Sequence, residues 1–290
     1  MSKPKSVFIE RGGVRLHALD HGSEGEDKPI ILMLHGAAAH ARWWDHIAPG
    51  YKDMLRPVAT DHRGHGDTGW QDEYIFEDLL RDVAAWVDWA KAQSGRKPWM
   101  LAHSMGGVIA LNLFALEPPD IEGLIVVDSP LQTTDAILAE VRAFGNRPAR
   151  PWASRELFVE KFRLLPASDK VNPETIAHIA RHAVRRNGDD TWTVKADRRF
   201  HATRPETDQR AGWLRVETPA LLVAGELSDR LKSDSLEWVR GKVPQVETAV
   251  IPGAHHHVFM DEPDAFIQVT REFLERKIAA TSERSASRTV

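Results

Sequence analysis

Pro98-Trp99-Met100-Leu101-Ala102-His103-Ser104-Met105-Gly106-Gly107, running on into Val108-Ile109-Ala110-Leu111-Asn112-Leu113-Phe114, is the stretch that decides the fold. It reads as a short apolar strand, a turn of a few residues and a helix with apolar positions at helical spacing. Ser104 sits at the apex between small neighbours. A tight strand-to-helix turn forces such a serine into unusual backbone geometry and pushes its hydroxyl clear of the sheet. Ala102 and Gly106 leave room for strand and helix to approach, and the backbone N–H of Met105 opens the helix, where the macrodipole favours developing negative charge. The alternative is that Ser104 only caps the helix, a common role for serine.

A nucleophilic serine needs a base within hydrogen-bond reach, and the base needs an orienting acid. Two later segments offer them. Pro219-Ala220-Leu221-Leu222-Val223-Ala224-Gly225 is a buried-strand run followed by Glu226-Leu227-Ser228-Asp229. Val246 to Ala254 is another, followed by His255-His256-His257. Residues just past the carboxyl ends of parallel strands gather along one edge. Ser104, Asp229 and His256 all occupy such positions, in the chain order serine, acid, histidine.

With these residues in place, the chain resembles the capped α/β-hydrolase superfamily, as a serine-nucleophile, esterase-like member, over roughly residues 6 to 278. Four motifs carry the resemblance: His35-Gly36-Ala37 after the strand Ile30 to Leu34, the loop Asp61-His62-Arg63-Gly64-His65-Gly66-Asp67-Thr68, the turn at Ser104, and Gly253-Ala254-His255-His256 with Pro263 and Phe266 behind it. Ala102 replaces the family's first elbow glycine, and His255 stands where the family has glycine before its base. Alignment with that segment places the base at His256. The resemblance implies oxyanion-hole donors at the backbone N–H groups of Ala37 and Met105. It also implies that the 61–68 loop is structural, with Arg63 and Asp67 bonding to neighbouring backbone. Asp229 fits the commoner position for the acid; Asp128, after the sixth strand, and Glu226 are its rivals.

The expected fold is α/β: a mostly parallel eight-stranded sheet with helices on both faces and a helical lid inserted after the sixth strand. Residues 1–130 and 214–280 would form the core, 131–213 the lid, and 281–290 a disordered polar tail. Core strands are expected at Val7 to Glu10, Val14 to Asp20, Ile30 to Leu34, Leu55 to Thr60 and Leu124 to Asp128, with a helix from Phe76 to Ala92. Lid helices are expected over Ala136 to Phe144, Arg155 to Leu165 and Pro173 to Arg186. The lid carries 15 Lys/Arg against 11 Asp/Glu, so it is about +4 in a chain of net charge −4. A positive lid could draw in anionic substrates, although a solvated helical surface explains the same charge. Expected pocket residues are Ala38, Trp43, Trp44, His103, Phe144, Phe158 and Phe162, with Leu165 a further lid candidate.

Composition narrows the function. The 290 residues are 42% hydrophobic, enough for a sizeable core. No window approaches 18 consecutive apolar residues, and the first residues lack a signal-like apolar stretch, so the expected placement is cytoplasmic and away from membranes. Zero cysteines exclude disulfides and thiol chemistry. The net charge gives no reason to expect nucleic acid. His62 and His65 with Asp61 and Asp67 suggest a metal loop, but no second ligand cluster follows at a suitable interval, so neither metal nor cofactor is expected. A serine at the elbow disfavours the aspartate-dependent dehalogenases and epoxide hydrolases of the superfamily. The expected substrate is a small or medium carboxylic ester or lactone. Relatives with the same triad keep three alternatives open: carbon–carbon bond hydrolysis of ring-fission products, cofactor-free perhydrolysis, and ligand reception without catalysis. Oligomeric state is not legible.

Overall fold

The computed structural model describes residues 3–25 and 27–287, the side chains of 137, 140 and 282–287 excepted. An eight-stranded sheet organises the chain. Its strands are β1 (Lys5–Arg11), β2 (Val14–Asp20), β3 (Ile30–Leu34), β4 (Arg56–Thr60), β5 (Trp99–His103), β6 (Gly123–Val127), β7 (Ala220–Gly225) and β8 (Val246–Ile251). They lie in the order β1-β2-β4-β3-β5-β6-β7-β8. The hairpin β1–β2 joins antiparallel, and every pairing from β4 to β8 is parallel.

The middle strands are apolar at nearly every position because both sheet faces are covered. Alternate residues go to opposite cores. Ile30, Leu32 and Leu34 join Met100 and Ala102 under helices α1 (Phe76–Ser94) and α2 (Met105–Leu116). Ile31 and Met33 join Leu101 on the other face, with Phe266, Phe273 and Leu274 of the C-terminal helix.

Between β6 and β7 the chain forms a separate layer. Its helices are α3 (Asp135–Gly145), α4 (Arg155–Lys161), α5 (Pro173–His182), α6 (Arg198–Ala202) and α7 (Arg210–Trp213). Two small antiparallel ribbons join them: Gln132–Thr133 pairs with Thr207–Asp208 near the two ends of the insertion, and Val184–Arg186 pairs with Trp192–Val194. The helices expected over Arg155 to Leu165 and Pro173 to Arg186 are therefore shorter, and the second gives way to the hairpin. Phe158, Trp152, Phe162 and Trp192 pack together as a core of the insertion's own. The insertion is tied to the sheet layer by polar contacts: Tyr74 Oη donates to Asp197 Oδ2 at 2.8 Å, Lys195 Nζ to Asp67 Oδ1 at 2.6 Å, and Ser168 Oγ to Asp261 Oδ1 at 2.6 Å.

Helices α8 (Ser233–Lys242), α9 (Val258–Asp261) and α10 (Pro263–Ser287) complete the core. The tail expected to be disordered from residue 281 instead extends α10 to Ser287, since nothing from Thr281 onward breaks a helix; 288–290 lie outside the described residues. Among the described residues no helix is long and apolar enough to cross a membrane.

Arg63 is 1% exposed, and its guanidinium forks onto Asp82 of α1, Nε to Oδ2 at 2.6 Å and Nη2 to Oδ1 at 2.7 Å. Arg63 thus bonds to a helix carboxylate, where the resemblance implies neighbouring backbone. Removing one partner of a buried pair strands the other charge, at a typical cost of ~3–5 kcal/mol. Asp82→Ala should therefore lower unfolding stability by about 3 kcal/mol, the low end of that range, because Asp78 stays 3.3 Å from Arg63. Urea unfolding checks this, and the double variant Arg63→Met/Asp82→Leu should recover most of the loss.

Candidate active site

The site grows from the level at which three parallel strands end. His103 of β5 lies beside Val127 of β6, and Val127 beside Val223 of β7. The next residues continue the ladder: Ser104 N donates to Val127 O at 2.9 Å and Asp128 N to Val223 O at 2.8 Å. Ser104 and Asp128 are thereby set level on adjacent strands. Ser104 adopts φ 51°, ψ −116°, a strained conformation for a residue with a Cβ. The Ser129 hydroxyl donates to the Ser104 carbonyl and helps to hold it there. At Gly106 any Cβ would stand 2.6 Å from Leu34 O, so only glycine lets α2 start this close to β3.

The third member comes from the loop after β8. His256 is 6% exposed, with Nδ1 2.7 Å from Asp128 Oδ2 and Nε2 3.0 Å from Ser104 Oγ. A carboxylate can only accept, so Nδ1 carries the proton and Nε2 is left to receive the serine hydroxyl. Asp128 is fully buried; Gly225 N donates to its Oδ1 at 3.2 Å, and the Ser228 hydroxyl also donates to Oδ2.

Asp229 is not the partner of His256. The turn after β7 carries it outward, its side chain 66% exposed and 3.3 Å from Arg230 Nε. The same turn instead sends Ser228 inward to Asp128. Glu226, the other rival, accepts from Gly253 N at 2.7 Å and only braces the next turn. The carboxylate bonded to His256 is therefore Asp128, the residue directly after β6.

Neighbouring histidines fill supporting positions. His103 Nε2 donates to the His256 carbonyl at 3.1 Å; it lies under the base rather than against the pocket. Burial, reinforced by His256 and His257, holds the His103 imidazole well below its usual pKa, so it stays neutral. His255 N donates to Asp261 Oδ2 at 2.7 Å, and His257 is buried against Trp43. Burial lowers His257 to about 3. Only His256 of the run faces Ser104.

The turn at His35-Gly36-Ala37 is fixed by the 61–68 loop. His62 N donates to His35 Nε2 at 3.2 Å, His35 Nδ1 donates to Gly36 O at 2.7 Å, and His62 Nε2 donates to His35 O at 3.0 Å. Asp61 accepts from His17 Nδ1, Ala41 N and Asp67 N at 2.6, 2.6 and 2.9 Å. The Asp61 carboxylate thus ties β2, the turn at Ala41 and its own loop together. Ala37 and Met105 both line the cavity over Ser104, and among the described residues neither backbone N–H donates to a protein acceptor.

That cavity measures about 230 Å³ and is lined mainly by apolar groups, among them Val108, Val141, Phe144 and Leu165. Of the expected pocket residues Ala38, Phe144 and Leu165 line it. Trp43 and Trp44 do not: both are buried, Trp43 against His257 and Trp44 stacked on Phe259 at 4.4 Å. Phe158 and Phe162 also turn away, into the insertion's own core. His201, Arg204 and Arg230 line the cavity without having been singled out from sequence.

A strained serine, a histidine and a buried carboxylate, set beside two free amides at the strand ends, make a hydrolase site. The chain belongs to the alpha/beta hydrolase family, whose pattern it matches over residues 31–269. An esterase of Mycobacterium tuberculosis is 25% identical over 262 residues, covering 87% of this chain and 85% of its own. The 2-(acetamidomethylene)succinate hydrolase of Mesorhizobium japonicum is 23% identical over 283 residues, covering 92% and 94%. The crystal structure of an E-2-(acetamidomethylene)succinate hydrolase superposes with a TM-score of 0.80 at 20% identity, covering 94% of this chain and 99% of that one.

The competing acids separate cleanly by mutation. Asp128→Asn should cost ~10⁴-fold in kcat by presenting His256 in the wrong tautomer, whereas Asp229→Asn should stay within about threefold of the parent, a surface change away from the relay. Steady-state hydrolysis of an activated ester by both variants measures the difference.

Proposed function

We propose that the protein is a serine hydrolase cleaving small or medium carboxylic esters through an acyl-enzyme on Ser104. The observation that carries this reading is the continuous relay from Ser104 Oγ through His256 to Asp128, opening into a cavity that also holds two uncommitted amides. Relatives named as esterases, in M. tuberculosis and Nitrosomonas europaea, support it at the level of the reaction class.

The steps follow from the hydrogen bonds. His256 Nε2 takes the proton from Ser104 Oγ as the oxygen attacks the ester carbonyl. Asp128 keeps Nδ1 protonated and stabilises the imidazolium that forms. The oxyanion is received by the N–H groups of Ala37 and Met105, the second at a helix start; one such donor is typically worth ~3–4 kcal/mol in the transition state. His256 then gives its proton to the departing alkoxide. Water entering the vacated space loses a proton to the same nitrogen and attacks the acyl group, and collapse returns Ser104 with the acid released. Serine rather than aspartate at the elbow separates this chemistry from that of dehalogenases and epoxide hydrolases.

A fluorophosphonate probe should label Ser104 stoichiometrically, read by peptide mass spectrometry. Ser104→Ala should lose both labelling and hydrolysis of short-chain 4-nitrophenyl esters while keeping its melting temperature. A folded Ser104→Ala protein with parental turnover would overturn the assignment.

A further inference from the structure

The cavity over Ser104 contains a charge the relay does not use. Arg204 follows α6 in the insertion, is 7% exposed, and lines the cavity together with His201. Among the described residues its guanidinium meets no carboxylate and no hydrogen-bond acceptor. Burying a guanidinium without a counter-charge costs several kcal/mol, and burial alone lowers its pKa to about 10, leaving it charged at neutral pH. The other buried arginine among the described residues, Arg63, is neutralised by Asp82. The Arg204 backbone is also braced, its carbonyl accepting from Arg142 Nε and Nη2 at 3.2 and 2.9 Å. At Gly145 a Cβ would lie 2.3 Å from Ala202 N, so α3 and α6 pack closely enough to fix the segment.

His201 repeats the pattern. It is 1% exposed, and neither ring nitrogen has a hydrogen-bond partner. Burial, with His65 and Arg204 nearby, keeps the ring neutral, so it offers one N–H donor and one acceptor. No Asp or Glu lines the cavity, and Arg230 adds a second guanidinium to its wall. A planar fork with an adjacent N–H donor matches a carboxylate. The volume, about 230 Å³, is below the roughly 300–1,000 Å³ typical of drug-sized ligands, so the ligand that fits is short.

We propose that Arg204, assisted by His201, binds a carboxylate of the substrate, making the preferred substrate a short ester that also carries a free carboxylate. The proposal rests on the ester-hydrolase reading of Ser104 but does not follow from it. Arg204 is a specificity residue here and takes no part in bond breaking. The insertion that shapes the pocket thus also selects for charge.

Two matched pairs test it with the full chain. Mono-4-nitrophenyl glutarate against 4-nitrophenyl butyrate places the carboxylate on the acyl side, and 4-acetoxybenzoate against phenyl acetate places it on the alcohol side. The parent should favour the charged member of one pair in kcat/KM by at least about tenfold, and glutarate should inhibit competitively. Arg204→Met should cost about 100-fold in kcat/KM for that charged ester, chiefly through KM, leave its neutral partner within about threefold, and abolish glutarate inhibition. Arg204→Lys, which keeps the charge but not the fork, should fall between and decides the matter if the methionine variant does not fold. No charge preference in either pair, or equal loss on charged and neutral esters in a folded variant, overturns the proposal. Failure of the ester-hydrolase reading would look different: no phosphonate labelling of Ser104 and no turnover of any ester. Glutarate binding by calorimetry would still decide whether Arg204 holds a carboxylate.

Discussion

The backbone at Ser104 is the constraint on which the site depends. A non-glycine residue held at φ 51°, ψ −116° costs on the order of 1–3 kcal/mol. It persists because its surroundings leave no alternative. Its amide is bonded to Val127, its carbonyl accepts from Ser129, and α2 begins immediately against the backbone of Leu34 and His35. Relaxing the turn would break all of these contacts. The strain therefore works as positioning: it lifts Oγ off the sheet toward His256 and leaves the Met105 N–H open at the head of the helix.

The parallel ladder extends that constraint to Asp128. Because β5, β6 and β7 end at nearly one level, the residue after β6 stands beside the residue after β5, and Gly225 of β7 can donate to its carboxylate. His256 needs no strand of its own. Its loop is held by the His103 bond to the His256 carbonyl and by the Asp261 bond to the His255 amide. Burial keeps His103 and His257 neutral, so neither adds positive charge beside His256.

Much of this was legible in the sequence, and the rest fails for identifiable reasons. β3 and β5 read correctly because strands covered on both faces are unbroken apolar runs, and the elbow because small residues flank Ser104 at fixed offsets. The acid was misplaced because both β6 and β7 are followed by acidic residues. The distinguishing signal is offset: Asp128 ends its strand directly, as Ser104 does, whereas Asp229 comes four residues after Gly225. The hairpin within the insertion was hidden because Ala183 to Arg186 continues the helical pattern, although Asn187-Gly188-Asp189-Asp190 marks a turn. The aromatic residues misled because composition does not tell which side of a helix or turn they face; Trp44 and Phe158 fill cores, while Phe144 faces the cavity. Arg204 gave no local signal, only a share in the insertion's positive charge.

The reading of Ser104 as nucleophile requires a preformed site whose oxyanion donors are already in place. A crystal structure of the enzyme treated with a small alkyl phosphonate tests it most directly. Phosphorus should be bonded to Ser104 Oγ, with one phosphonyl oxygen within about 3 Å of both the Ala37 and Met105 nitrogens and His256 still bonded to Asp128 with the turn unmoved. An adduct on another residue, or one on Ser104 whose oxygen points away from those two amides, would contradict it.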